Sequence, residues 1–218
     1  ISDACRSVGF FMIRNHGLNG TIIDNAWKAS HAFFDLDKVT KRRFRTTDEA
    51  EYPYGFEESE QLVRGKQLDR GDSTERGATN DGDGNDDGDQ ASFASIDEKE
   101  TFSLGPQNAE SGMPLRRWYG HPNIVEGFES ALVAYYSAME ELALVLGQVL
   151  ALGLQQEQQY FVDRMSHHMS ALRLVHYYPL NPPRDDPAVV RAGAHTDYGI
   201  VTILTTQQPG LQVQLDNR

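Results

Sequence analysis

One cysteine in 218 residues, Cys5, leaves no partner for an internal disulfide, so the fold has to be held by its core. A chain that does without disulfides fits a reducing compartment, and a cytoplasmic location is expected. Cys5 itself lies in a helix-start context and reads as a small buried residue, not a nucleophile. Basic residues are also scarce: 20 Lys and Arg stand against 32 Asp and Glu, a net charge of −12. That balance argues against nucleic acid, whose phosphates demand a basic surface. Long apolar runs are missing as well. The longest, residues 143–152, is interrupted by Gly147 and Gln148 and is too short to cross a bilayer, so no membrane anchor is expected. A monomeric, soluble protein of one domain is the expectation from this length and a hydrophobic content of 39%. The opening at Ile1 and the ending at Asn217-Arg218, just after a predicted strand, suggest a piece of something longer, which puts targeting signals out of reach.

The negative charge has a local origin. Residues 69–90 hold seven Asp and one Glu against two Arg, which accounts for six of the twelve excess charges. This Gly/Asp/Asn-rich stretch has too little apolar surface to offset the entropy of ordering, and a disordered acidic insertion is predicted at about 69–95. Within it, Asp83-Gly84-Asn85-Asp86-Asp87-Gly88 copies the first half of an EF-hand loop. The position that should carry the bidentate Glu is Ala94, so a solvated acidic loop is the better reading.

Periodicity divides the rest. Residues 2–8 read as the end of a helix closed by Gly9, and residues 10–14 as a short buried strand before the turn Asn15-His16-Gly17. Ile22, Ile23, Ala26, Trp27, Ser30, Phe33 and Phe34 recur at helical spacing. Asp37 can cap a short helix ending in Lys41, Arg42 and Arg43, as the macrodipole favours. From Tyr52 to Phe102 the chain reads as mostly irregular. A long helix is predicted over roughly 124–152, with Phe128, Leu132, Tyr135, Met139, Leu142, Leu146, Val149 and Leu150 on one face and Gly153 as its stop. A short helix over 157–165 comes next. After it the period changes to two, and 171–178, 191–197, 200–205 and 211–215 read as strands. Helices succeeded by a run of strands predict an α+β fold.

The chemistry concentrates in His195-Thr196-Asp197, framed by Gly193 and Gly199 and succeeded by the apolar run from Ile200 to Leu204. In an extended segment alternate side chains share a face, so His195 and Asp197 converge while Thr196 points away. A neutral imidazole with a hard carboxylate, completed by a second imidazole, is the 2-His-1-carboxylate triad that holds non-haem Fe(II) with positions left open. His16, His31, His121, His167 and His168 sit in turns, loops or on a helix face, where solvated or structural roles are the common ones. His176 lies on a predicted strand, where a ligand role is conceivable. Arg116 and Arg117 beside Trp118 could meet an acidic substrate, although loop arginines usually meet solvent.

Several ordered motifs together resemble the isopenicillin N synthase-like, plant-type family of Fe(II)/2-oxoglutarate dioxygenases. They are Ala4-Cys5-Arg6-Ser7-Val8-Gly9-Phe10-Phe11 with Asn15-His16-Gly17; Phe33-Phe34 with Asp37 and Lys41; Phe102-Ser103-Leu104-Gly105; Leu172 to Pro179; and Gly193 to Gly199 with Gly210-Leu211-Gln212-Val213. The resemblance implies a double-stranded β-helix (jelly roll) core, incomplete here, with the N-terminal helices packed outside. It divides the chain into an N-terminal dioxygenase region (1–105), a linking loop with long helices (106–170) and the first part of the β-core (171–218). It makes His195 and Asp197 iron ligands and places Tyr178 near the 2-oxoglutarate carboxylate. His176 stands where many relatives have Asn, on the same strand face as Tyr178 by the period of two.

The family's second histidine ligand and the Arg-x-Ser pair that clamps 2-oxoglutarate lie several dozen residues beyond the first histidine, past the last residue given, so these 218 residues alone are expected not to turn over. The implied reaction is oxidation, by hydroxylation or desaturation, of a small organic metabolite with O2, Fe(II) and 2-oxoglutarate, ascorbate being a candidate reductant. Two other readings stay open: an Fe(II) oxidase that does not use 2-oxoglutarate, and a truncated or pseudo-enzyme binding domain whose acidic loop is a contact segment.

Overall fold

The structure is a computed structural model that describes residues 1–45, 54–58, 99–106, 125–179, 195, 197 and 199–213. In chain order its elements are α1 (Ser2–Ser7), α2 (Gly20–Phe34), α3 (Lys38–Arg42), β1 (Gly55–Glu58), β2 (Lys99–Leu104), α4 (Phe128–Gly153), α5 (Tyr160–Met165) and β3 (Leu172–Tyr177). The three strands form one antiparallel sheet in the order β1-β2-β3. Helices and an antiparallel sheet in one core make the fold α+β, as the pattern predicts.

Local chemistry sets the helix ends. Asn19 accepts a hydrogen bond from the Thr21 amide to start α2, and Asp37 accepts from the Thr40 amide at 3.0 Å to start α3. Gly127, with φ of +72°, turns the chain into α4, slightly later than periodicity suggests. At the other end Gly153 is the last helical residue of α4.

One side chain organises the core. Phe33, fully buried on α2, lies 4.9 Å from Phe128 of α4 in a stacked arrangement and 5.0 Å from Phe102 of β2. Its ring also meets Phe44, Phe56 of β1 and its neighbour Phe34 edge-on at 5.2, 5.8 and 5.3 Å. Leu132, Tyr135 and Tyr136 of α4 complete this cluster, so α2 is wedged between α4 and the sheet. The register decides which side chains meet across the strands. Phe102 faces Phe56 on one side and Leu174 on the other, and Glu100 faces Glu58 and His176. Side chains alternate along a strand, so Glu100, Phe102 and Leu104 share the face that carries Leu172, Leu174 and His176.

Several expectations fail here for identifiable reasons. Residues 10–14 are not a buried strand: no described strand pairs with them, Phe10 is 59% exposed and Met12 is 84% exposed. Cys5 is exposed, because the single short helix that carries it buries nothing. In the region from Tyr52 to Phe102, read as mostly irregular, the described residues pair as β1 and β2 because Phe56 and Phe102 pack on Phe33, and residues 59–98 lie outside the described residues. Of the strands expected beyond 190, 200–205 is described and forms no ladder with the described strands, while most of 191–197 and the end of 211–215 lie outside the described residues. The acidic insertion with its EF-hand-like half, and Arg116, Arg117, Trp118 and His121, lie outside the described residues. Among the described residues no helix is long and apolar enough to cross a membrane.

Truncating the ring that touches five others leaves a cavity at the junction of three elements. Phe33→Ala is expected to cost about 3–5 kcal/mol, read as a shift in urea midpoint at unchanged slope. A loss below about 1 kcal/mol would mean that Phe33 does not centre the core.

Candidate functional site

Two groups of polar side chains stand out. The first is the pair expected from sequence. His195 Nε2 lies 3.4 Å from Asp197 Oδ1, and the two side chains are 66% and 50% exposed. The two groups face each other at that distance. The second carboxylate oxygen, Oδ2, accepts a hydrogen bond from the Thr202 hydroxyl at 2.5 Å. Thr202 belongs to the segment after Gly199, which contacts the helices through His31–Gln207 at 2.6 Å and Tyr135–Thr205 at 3.5 Å. His31, which reads from sequence as an uncommitted helix-face residue, therefore helps to dock the segment that carries the pair.

The geometry of the pair suits a divalent ion. Donors about 2.1 Å from one metal are separated by roughly 3.0 Å at a right angle and about 3.4 Å at a tetrahedral angle. One imidazole nitrogen and one carboxylate oxygen at this spacing can thus grip a single ion, and Thr202 on Oδ2 leaves Oδ1 for it. Among the described residues no third His, Cys, Asp or Glu joins the pair. His176 is elsewhere, in the second group.

That second group is a buried cluster centred on Glu100. The Lys41 ammonium donates to Glu100 Oε1 and Oε2 at 2.8 and 2.7 Å and to the Phe34 carbonyl at 2.9 Å, which uses all three of its donors. His176 Nδ1 lies 2.8 Å from Glu100 Oε1, and the Tyr178 hydroxyl also hydrogen-bonds to Glu100. Four hydrogen bonds therefore converge on one fully buried carboxylate. The His176 ring packs against Phe34 at 5.2 Å and against Tyr178 at 5.4 Å. Burial alone would raise the carboxyl pKa of Glu100, but the hydrogen bonds from Lys41, His176 and Tyr178 outweigh it and hold the group below the usual carboxylate range. Burial, and then the bond to Glu100, pushes the Tyr178 hydroxyl above its ordinary range.

Sequence reasoning places Tyr178 and His176 together, and they are together, on one strand face. It misses Glu100, Lys41 in any role beyond the helix dipole, and Thr202. A signal for Glu100 exists in the stretch Lys99-Glu100-Thr101-Phe102: two residues before a core Phe, a strand side chain points the same way.

A chain with this pair of donors and this layered core has recognisable relatives. The family described as non-haem dioxygenase in morphine synthesis, N-terminal, matches residues 1–95. A 2-oxoglutarate-Fe(II) type oxidoreductase, ppzD, of Metarhizium rileyi is 26% identical over 99% of this chain and 56% of its own length. Gibberellin 20 oxidase 2 of Arabidopsis thaliana is 27% identical over all of this chain and 50% of its own. Among solved structures, a 2OG-Fe(II) oxygenase family protein of Caulobacter crescentus superposes with a TM-score of 0.62 at 21% identity, covering 89% of this chain and 54% of its own. A full-length Neurospora crassa protein, solved in complex with alpha-KG and 5-formyluracil, gives 0.62 at 21% identity over 91% of this chain and 52% of its own. Residues 1–95 match that family model, and the chain as a whole is similar to these oxidoreductases at 26–27% identity. It spans 50–56% of the length of the two relatives compared in sequence.

Replacing Lys41 by Met strips the buried carboxylate of its cation and is expected to cost about 3–5 kcal/mol. The double variant Lys41→Met/Glu100→Leu should cost less than Lys41→Met alone, measured in a double-mutant cycle by denaturant unfolding. Because the Glu100 pKa is depressed on folding, its stabilisation is full above the unfolded value of about 4 and is lost as pH falls through the lower folded value. The double variant should lack that part of the acid sensitivity, and identical acid profiles would show that Glu100 does not contribute to it.

Proposed function

We propose that this chain carries two of the three ligands of a non-haem Fe(II) site, His195 and Asp197, in a 2-oxoglutarate-dependent dioxygenase that oxidises a small organic metabolite. The observation that carries the reading is the convergence of one imidazole nitrogen and one carboxylate oxygen at 3.4 Å, with the other oxygen held by Thr202. A hard carboxylate and a neutral imidazole are the donors that ferrous iron takes when positions must stay open for further ligands. The family supports the cofactor assignment, and a jelly-roll core is expected from the same relationship. The third imidazole and an Arg-x-Ser clamp for 2-oxoglutarate belong to this proposal and not to the described residues.

Bound iron would supply the activation of O2 that couples oxidative decarboxylation of 2-oxoglutarate to oxidation of a substrate C–H bond. The chain's own residues orient and exclude. Asp197 presents Oδ1 because Thr202 engages Oδ2, and His195 completes that side of the site. The aromatic cluster around Phe33 keeps α2, α4 and the sheet rigid, so that the docked segment carrying Thr202 has a fixed base.

A full-length version that carries the third histidine and the Arg-x-Ser pair is expected to release succinate and CO2 with Fe(II), 2-oxoglutarate and O2, and Asp197→Ala should abolish that release. Wild-type release by that variant would refute the ligand assignment. Product formation that needs ascorbate but not 2-oxoglutarate would favour the oxidase reading instead. Thr202→Val should weaken Co(II) or Fe(II) affinity by about 10–100-fold, measured as a binding isotherm, because it frees the carboxylate to rotate. Unchanged affinity would make the Thr202 bond incidental.

A further inference from the structure

The segment around Thr202 has two faces, and they differ in chemistry. Val201 and Ile203 are half-buried, while Ile200, Thr202 and Leu204 are exposed. That alternation is the mark of an extended backbone, in which residues two apart share a side. Thr205 and Gln207 continue the half-buried side, and they are the residues that bond Tyr135 of α4 and His31 of α2. This is the side that rests on the helices. The other side holds Thr202, whose hydroxyl reaches Asp197, and so it belongs with the His195–Asp197 pair.

Ile200 and Leu204 stand two residues before and two after Thr202, roughly 7 Å from it along an extended chain. They are 65% and 57% exposed. A single exposed aliphatic side chain is ordinary, but here two of them flank the residue that holds the carboxylate of the pair. Nothing polar on the strip compensates for them. The one proton of the Thr202 hydroxyl is engaged by Asp197 Oδ2, so none of the three side chains has a donor to offer. A charged or heavily hydroxylated group placed against them would lose water and gain little, whereas a hydrocarbon group would only shed unfavourable hydration.

We propose that Ile200 and Leu204 are specificity-determining residues, forming an apolar wall beside the His195–Asp197 pair that takes a hydrocarbon part of the substrate, aliphatic or aromatic. The inference rests on the proposed iron site for its location. It narrows the substrate from any small organic metabolite to one whose reacting end is hydrocarbon. The wall is preformed, because the opposite side of the same segment is fixed to α2 and α4 through His31 and Tyr135.

A full-length version with Co(II) in place of Fe(II), and Zn(II) as the diamagnetic control, tests this without turnover. The probes are cyclohexanol, which is hydrocarbon apart from one hydroxyl, and sorbitol, which is hydroxylated on every carbon. Co(II) should broaden the proton NMR signals of cyclohexanol, reporting binding beside the metal, and leave those of sorbitol sharp. Ile200→Ala and Leu204→Ala should each weaken cyclohexanol binding by about tenfold. Both side chains are exposed, so Co(II) affinity and the urea midpoint should stay as they are. Leu211→Ala, at a residue 61% exposed but past the bend at 207–209, should leave cyclohexanol binding unchanged. Sorbitol broadened as strongly as cyclohexanol, or cyclohexanol binding that neither wall variant weakens, would overturn the wall. Saturation transfer from protein to cyclohexanol needs no metal and separates the two readings. A protein that takes up no Co(II), but whose saturation transfer falls in Ile200→Ala and Leu204→Ala, would count against the iron site and still support the wall. One that binds Co(II) and shows neither broadening nor transfer would overturn the wall and leave the iron pair standing.

Discussion

A carboxylate without access to water, held by an ammonium on a different element, is the constraint on which this fold turns. Glu100 and Lys41 are both buried, and a charge removed from water is tolerated only with a partner and enough hydrogen bonds. Satisfying that demand fixes α3 against β2 through Lys41, the C-terminal end of α2 through the Phe34 carbonyl, and β3 through His176 and Tyr178. The aromatic cluster around Phe33 lies on the same face of the sheet and supplies the apolar stabilisation. The charge pair supplies the selectivity: greasy contacts survive a small slip of register, whereas a slip that moved Glu100 off His176 would strand a buried charge.

Exposed ion pairs play a different part. Arg42 meets Glu58 with two hydrogen bonds, and Arg45 reaches the same carboxylate, but both arginines are largely solvated. Pairs of that kind contribute little to stability. Their effect is to tie the segment after α3 to β1, beside the Arg45–Gly55 bridge, and so to hold the edge of the sheet in place.

Much of this is legible in the sequence, and the parts that are not share a cause. The helices α2, α3 and α4 announce themselves through apolar periodicity and the caps Asn19 and Asp37, all of which are local signals. The facing of His195 and Asp197 comes from alternation over three residues and needs no knowledge of the rest. β1 and β2 escape because each is short and their pairing spans more than forty residues of sequence. Phe10 to Arg14 is the reverse case: an apolar spelling implies a strand, but a strand exists only where another lies beside it, and none of the described ones does. Lys41 and Glu100, fifty-nine positions apart, look like ordinary surface charges until the fold brings them together. Thr202 is hidden in the same way, as one hydroxyl in an apolar run.

The segment that carries Thr202 has no ladder among the described residues and meets the helical layer through His31–Gln207 and Tyr135–Thr205. Among the described residues the segment beside the His195–Asp197 pair is therefore moored to α2 and α4. A mooring of that sort makes distant helix positions into tuning points for the surroundings of His195 and Asp197. Drift in sequence along α2 or α4 could retune the reactivity of such a centre while every ligand stayed the same.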